Sequence, residues 1–141
     1  MNLRRKIAVT VSALAMTVGG GILTAPPAAA DEPCGSNKLC LYRSTLYRTM
    51  EFSTGSVNDC WMSSAYNLTD PYAGIMSYRN NLGVKATLWY YGSGAEHAPS
   101  SWIGPVVSIA PGGASSNTTG GDAVFNFSTK ICTGSQKPWV F

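Results

Sequence analysis

Apolar residues fall into two regimes along this chain. From Ile7 to Ala25 they form an almost unbroken run, whereas from residue 31 onward they come in short clusters separated by Gly, Pro, Ser, Thr and Asn. The clusters Leu39–Tyr42, Ile75–Tyr78, Ala86–Tyr91, Val106–Ile109 and Ala123–Phe127 are rich in β-branched and aromatic side chains and bounded by turn formers, which predicts β-strands. Thr49–Phe52 and Trp139–Phe141 are weaker strand candidates, and Asn58–Leu68 has room for one helical turn. No long stretch keeps a helical apolar period. The expectation is an all-β fold, a sandwich or barrel of antiparallel strands.

Alternation within Ala86–Tyr91 puts Trp89 and Tyr91 on one face, expected to be the inward one, and turns Tyr90 outward. A weak internal symmetry relates Leu39-Cys40-Leu41-Tyr42-Arg43-Ser44 to Ala86-Thr87-Leu88-Trp89-Tyr90-Tyr91-Gly92-Ser93, each a strand ending in aromatics before a polar turn. Two such units can bury their apolar faces against each other, as a pair of Greek keys does. Two polar stretches read as loops. Gly92–Pro99 carries Glu96 and the single histidine, His97, while Pro111–Gly121 is almost free of apolar residues and reads as a mobile surface loop.

The first regime has a different meaning. Arg4, Arg5 and Lys6 precede the apolar run, Gly19-Gly20-Gly21 and Pro26-Pro27 interrupt it, and Ala28-Ala29-Ala30 closes it before Asp31. That order is expected of a cleaved secretory signal over residues 1–30, Ala- and Gly-rich in an actinobacterial style, followed by one domain over 31–141. Cleavage would leave no membrane anchor. It would also remove three basic residues and no acidic one, leaving seven Lys and Arg against seven Asp and Glu. The remaining basic residues are scattered, which argues against nucleic acid or an anionic membrane as partner, because both are bound through clustered Lys and Arg.

The four cysteines, Cys34, Cys40, Cys60 and Cys132, are an even number in an exported chain, so two disulfides are expected. Of the three possible pairings the short one, Cys34 with Cys40, is preferred, leaving Cys60 for Cys132. Zinc is disfavoured because no C-x-x-C pair occurs. No other metal and no cofactor is expected, since the carboxylates are spread along the chain.

Catalysis would have to use His97 with Glu96 beside it and Asp59, Asp70 or Asp122 as orienting group. No G-x-S-x-G elbow, H-E-x-x-H pair or P-loop is present, and nothing in the spacing of Glu51, Glu96, Asp59, Asp70 and Asp122 selects a pair for glycoside cleavage. The reading is therefore not an enzyme but a binding protein.

Cys34-Gly35-Ser36-Asn37-Lys38-Leu39-Cys40-Leu41-Tyr42, directly after the signal, resembles the opening of the secreted actinobacterial peptidase-inhibitor family typified by the Streptomyces metalloproteinase inhibitor. Ser77-Tyr78-Arg79-Asn80-Asn81-Leu82-Gly83-Val84-Lys85-Ala86-Thr87-Leu88-Trp89-Tyr90 is similar to that family's segment in which one strand turns through a polar pair into the next. The resemblance implies a βγ-crystallin-like fold, a small antiparallel Greek-key sandwich. Tyr42 to Thr49 also resembles the crystallin Y-x-x-x-x-(Y/F)-x-G corner, with Tyr42 and Tyr47 at the aromatic positions and Thr49 where glycine is expected. The crystallin calcium signature is not matched: Asn58-Asp59 is followed by Ser63-Ser64 one position late, and Asn80-Asn81 by no suitably placed hydroxyl.

The resemblance implies a monomeric peptidase inhibitor acting on an extracellular protease, a metalloprotease among the options. Inhibition needs a loop that binds without a large ordering cost. By composition the candidate runs from Gly92 to Trp102, with Gly92, Gly94, Glu96, His97, Pro99 and Trp102 as its characteristic residues. The family's reactive loop is closed by a second short-range disulfide that this chain lacks, so its reactive residues are not carried over. The alternatives are a killer-toxin-like antimicrobial module and a carbohydrate or cell-wall binder using Trp61, Trp89, Trp102 and Trp139 with Tyr66, Tyr72, Tyr90 and Tyr91.

Overall fold

The computed structural model describes residues 31–68, 74–118, 125 and 129–140. The segment 1–30, expected to be a signal, therefore lies outside the described residues, as do Asp70, Asp122 and all of Ala123–Phe127 except Phe125. The strands are β1 (Leu39–Ser44), β2 (Arg48–Thr54), β3 (Cys60–Met62), β4 (Ser77–Asn80), β5 (Ala86–Tyr91), β6 (Trp102–Ile109), β7 (Ala114–Ser115) and β8 (Lys130–Thr133). Short 3-10 turns cover Ser63–Tyr66, inside the stretch expected to hold a helical turn, and Pro99–Ser101.

These strands form two antiparallel four-stranded sheets, ordered β2-β1-β4-β7 and β3-β8-β5-β6. Each half of the chain keeps its first, second and fourth strands in one sheet and lends its third to the other, so β3 pairs with β8 and β7 with β4. This is the βγ-crystallin-like double Greek key. The repeat holds residue by residue: Leu39, Cys40, Leu41 and Tyr42 face Asn80, Arg79, Tyr78 and Ser77, while Ala86, Thr87, Leu88 and Trp89 face Thr133, Cys132, Ile131 and Lys130.

Alternation along the paired strands sorts the side chains. Leu39, Leu41 and Phe52 of one sheet meet Ala86, Leu88, Ile109 and Ile131 of the other in the central core. Trp89 and Tyr91 share a face, as their spacing requires, but that face is the outer one of the second sheet. There they form a separate cluster with Trp102, Trp139 and the Cys60–Cys132 bridge. The inward expectation for the two rings is thus corrected: Ala86 and Leu88, the smaller partners, fill the sandwich.

Both disulfides pair as expected, Cys34 with Cys40 and Cys60 with Cys132. Each ties a covering segment or strand to an outer face. Residues 31–38 lie over the first sheet, where the Tyr42 hydroxyl donates to the Glu32 carbonyl at 3.0 Å and the Met50 amide to the Glu32 carboxylate at 2.7 Å. Residues 134–140 cover the second sheet, with Trp139 edge-on to Trp89 at 5.6 Å.

The β1–β2 corner explains Thr49. Leu46, Tyr47 and Thr49 all have left-handed backbone, Thr49 at φ 57°, so threonine takes up the conformation for which glycine is expected. The cost is offset locally. Ser77 Oγ donates to the Ser44 carbonyl at 2.7 Å and accepts the Tyr47 amide at 3.1 Å, and the Tyr47 ring packs on Tyr42 and lies 3.8 Å from the Arg79 guanidinium.

Several sequence expectations shift. The Ile75–Tyr78 strand starts instead at Ser77, because the Ile75 amide is used by the Phe125 carbonyl and Met76 by Tyr42. Phe125 has helical backbone and stacks on Tyr78, so it is not part of a strand; the last strand is β8. Trp139 lies in a turn, where packing against Trp89 replaces ladder pairing. Within the Pro111–Gly121 loop, Ala114–Ser115 pair with β4, and Gly113 accepts the Asn80 amide at 2.8 Å.

Candidate functional site

The candidate loop is the connection of the β5–β6 hairpin, and each of its turns has a local cause. At its base the Gly92 amide donates to the Ser101 carbonyl at 2.9 Å. Gly94 sits at φ 105°, and a Cβ there would lie 2.7 Å from Ser101 Oγ, so the backbone passes where only glycine fits comfortably. The Tyr91 hydroxyl donates to the Gly94 carbonyl. Ala98 then closes a turn on Ala95 at 2.9 Å, Pro99 supplies the fixed φ that opens the 3-10 turn, and Ser101 donates back to Ala98 at 3.0 Å.

Glu96 is held from two sides. Its carbonyl accepts the Trp102 indole N–H at 2.7 Å, and its carboxylate lies 3.5 Å from the Lys130 ammonium. The Lys130 side chain is only 4% exposed, against 44% for Glu96. The ammonium also donates to the Pro138 carbonyl at 2.8 Å and stands 5.2 Å from the Trp102 ring centre. Burial pushes the Lys130 pKa below its ordinary 10.5, and the carboxylate of Glu96 works in the opposite direction.

The loop so fixed presents Gly92 through His97, Pro99 and Ser100 to solvent. Beneath it, Tyr90 and Ile103 face each other across the hairpin and are both exposed, Ile103 at 56%. The six loop residues selected from sequence therefore converge on one end of the molecule, with Trp102 as the buried staple rather than a contact residue. The sequence reading missed three others. Ile103 was placed in no strand, Tyr91 looked like core, and Lys130 lies in the short Lys130–Thr133 segment, where a charge gives no strand signal.

The remaining candidates are elsewhere. His97 is exposed on the loop, and Asp59 lies just before β3, its carboxylate accepting the Cys60 amide at 2.8 Å. Among the described residues no three His, Cys, Asp or Glu side chains are grouped to hold a metal ion, and no helix is long and apolar enough to cross a membrane. Trp89 and Trp102 are buried, and Trp61 and Trp139 half-buried, so the four tryptophans serve packing.

No family model, curated protein or solved structure matches this chain.

Proposed function

We propose that this chain is an exported inhibitor of an extracellular peptidase, acting by binding and not by catalysis, with the 92–101 loop as its contact surface. The observation that carries the reading is the way the loop is fixed. Backbone hydrogen bonds close it at Gly92 and Ala98, and Trp102 and Lys130 hold Glu96 from below.

A loop already ordered at folding does not lose that entropy again on binding, so its contacts convert into affinity. The same order keeps the chain from adapting to a catalytic groove as a substrate does. Tyr90 and Ile103 add apolar area beside the loop, the kind of surface that anchors an interface. Hydrogen bonds and an ion pair here take the place of the loop-closing disulfide of the resembled inhibitors; the Cys60–Cys132 bridge instead joins facing residues of β3 and β8.

Titration of thermolysin-like and subtilisin-like peptidases with the purified protein tests the proposal. Stoichiometric loss of activity at micromolar protein, with the loop uncut, is expected. Full peptidase activity in molar excess of the protein, or rapid cleavage inside the loop, contradicts it.

A further inference from the structure

The pseudo-symmetry of the two Greek keys places Lys130 where the first half has Ser77: Ser77 faces Tyr42 and Lys130 faces Trp89. In the first half Ser77 fastens a short, tight corner through its hydroxyl, reaching Ser44 and Tyr47. The second corner is longer, running from Gly92 to Ser101, and a hydroxyl at that strand position is too short to reach across it. Thr129 takes over part of the serine's task, its amide donating to the Trp89 carbonyl at 2.7 Å and its hydroxyl accepting the Tyr91 amide at 3.2 Å.

We infer that Lys130 is the positioning residue of the inhibitory loop: its buried ammonium, reaching from β8 beneath the hairpin, fixes Glu96 and through it the exposed 92–98 backbone. The inference rests on the inhibitory reading only for its consequence in binding; the loop's order is a separate property. A buried ammonium is costly unless it is paired and hydrogen-bonded, so its position makes strong demands on its surroundings. Among the described residues, three groups help to meet them: the Glu96 carboxylate, the Pro138 carbonyl and the face of Trp102. Trp102 in turn grips the Glu96 carbonyl, so one residue of the loop is held through both its main chain and its side chain by groups that touch each other. Pro138 belongs to the covering C-terminal segment. Lys130 therefore joins the loop to that segment across the end of the second sheet.

The test is a double-mutant cycle read by loop cleavage. Lys130→Met, Glu96→Gln and the double variant are expressed from the full chain, and the rate of cutting within residues 92–98 by excess proteinase K is measured beside the thermal midpoint. Either single change is expected to speed cutting by about threefold to fivefold, the upper range for an ion pair with one exposed partner. The double variant is expected to be cut no faster than the faster single, because both changes remove one contact. Glu96→Gln alters an exposed side chain and keeps the test valid if Lys130→Met does not fold. Loop cutting unchanged in Glu96→Gln, or rates that multiply in the double variant, overturns the inference. If the wild-type protein inhibits a peptidase, inhibition weakens in parallel with loop order; if it inhibits none while the cycle behaves as stated, only the inhibitory reading falls.

Discussion

At the scale of single residues, polar groups at buried positions do more of the specifying than the apolar ones. Asn80 is fully buried, and its amide donates to the carbonyls of Val84, Ile109 and Ala110 while its carbonyl oxygen accepts Leu82 N–H. The polar pair Asn80-Asn81 is visible as a turn signal, but two of the four Asn80 partners are 29 and 30 residues away, beyond any local pattern. Tyr42 is similar: its ring was expected in an aromatic corner, whereas its hydroxyl partner, Glu32, belongs to a segment with no strand signal. Burial raises the Tyr42 pKa above its ordinary 10.0, with nearby Arg79 opposing. The folded phenol therefore keeps its proton to higher pH than the unfolded one, the native state binds more protons in that window, and stability falls as pH rises above 10.0. Urea unfolding of the wild type and of Tyr42→Phe should show this. Wild-type stability is expected to decline more steeply with alkaline pH, and Tyr42→Phe to be less stable by about 1 kcal/mol at neutral pH through loss of the bond to Glu32.

Among the elements, those with an aromatic or β-branched run were legible and the shortest were not. Strands β1 and β5, central in their sheets and buried on both faces, coincide with continuous apolar runs, while the edge strands β2 and β6 coincide with apolar clusters over only part of their length. Strand β3 has three residues and β7 two, too few for a period to show, and β8 carries a lysine at its first position. These three are the strands that make the sandwich close, two by crossing between sheets and one by lying between β3 and β5. The Cys60–Cys132 bridge compensates for the brevity of β3 by joining it to β8 at one register position. On the chain-entropy model a bridge spanning 72 residues contributes about 4 kcal/mol and one spanning six about 2 kcal/mol. Replacing Cys60 and Cys132 together by serine is therefore expected to cost more stability than replacing Cys34 and Cys40, a ranking that denaturant midpoints check directly. Equal losses would mean that the covering segment held by Cys34 matters as much as closure of the second sheet.

On the scale of the whole molecule, the two halves share one plan and differ where function is proposed. The resemblance of Leu39–Ser44 to Ala86–Ser93 was readable in sequence and became the pairing of two Greek keys, with Tyr42 and Trp89 at matching places. The divergence was only half readable: Gly92 to Trp102 stood out as a loop, but its support by Lys130 depends on a strand contact that sequence spacing does not reveal. The first corner is tight and tied by a neutral serine. Its counterpart is long, exposed and tied by a buried cation, and so offers a partner a surface whose shape is set in advance.

That pre-set shape is the central claim, and hydrogen exchange of the free protein tests it most directly. The amides of Gly92, Ala98 and Ser101 are expected to exchange much more slowly than those of an unstructured peptide, approaching the neighbouring amides of β5 and β6. Exchange of these three at the rate of an open chain, with the two sheets still protected, would contradict the account.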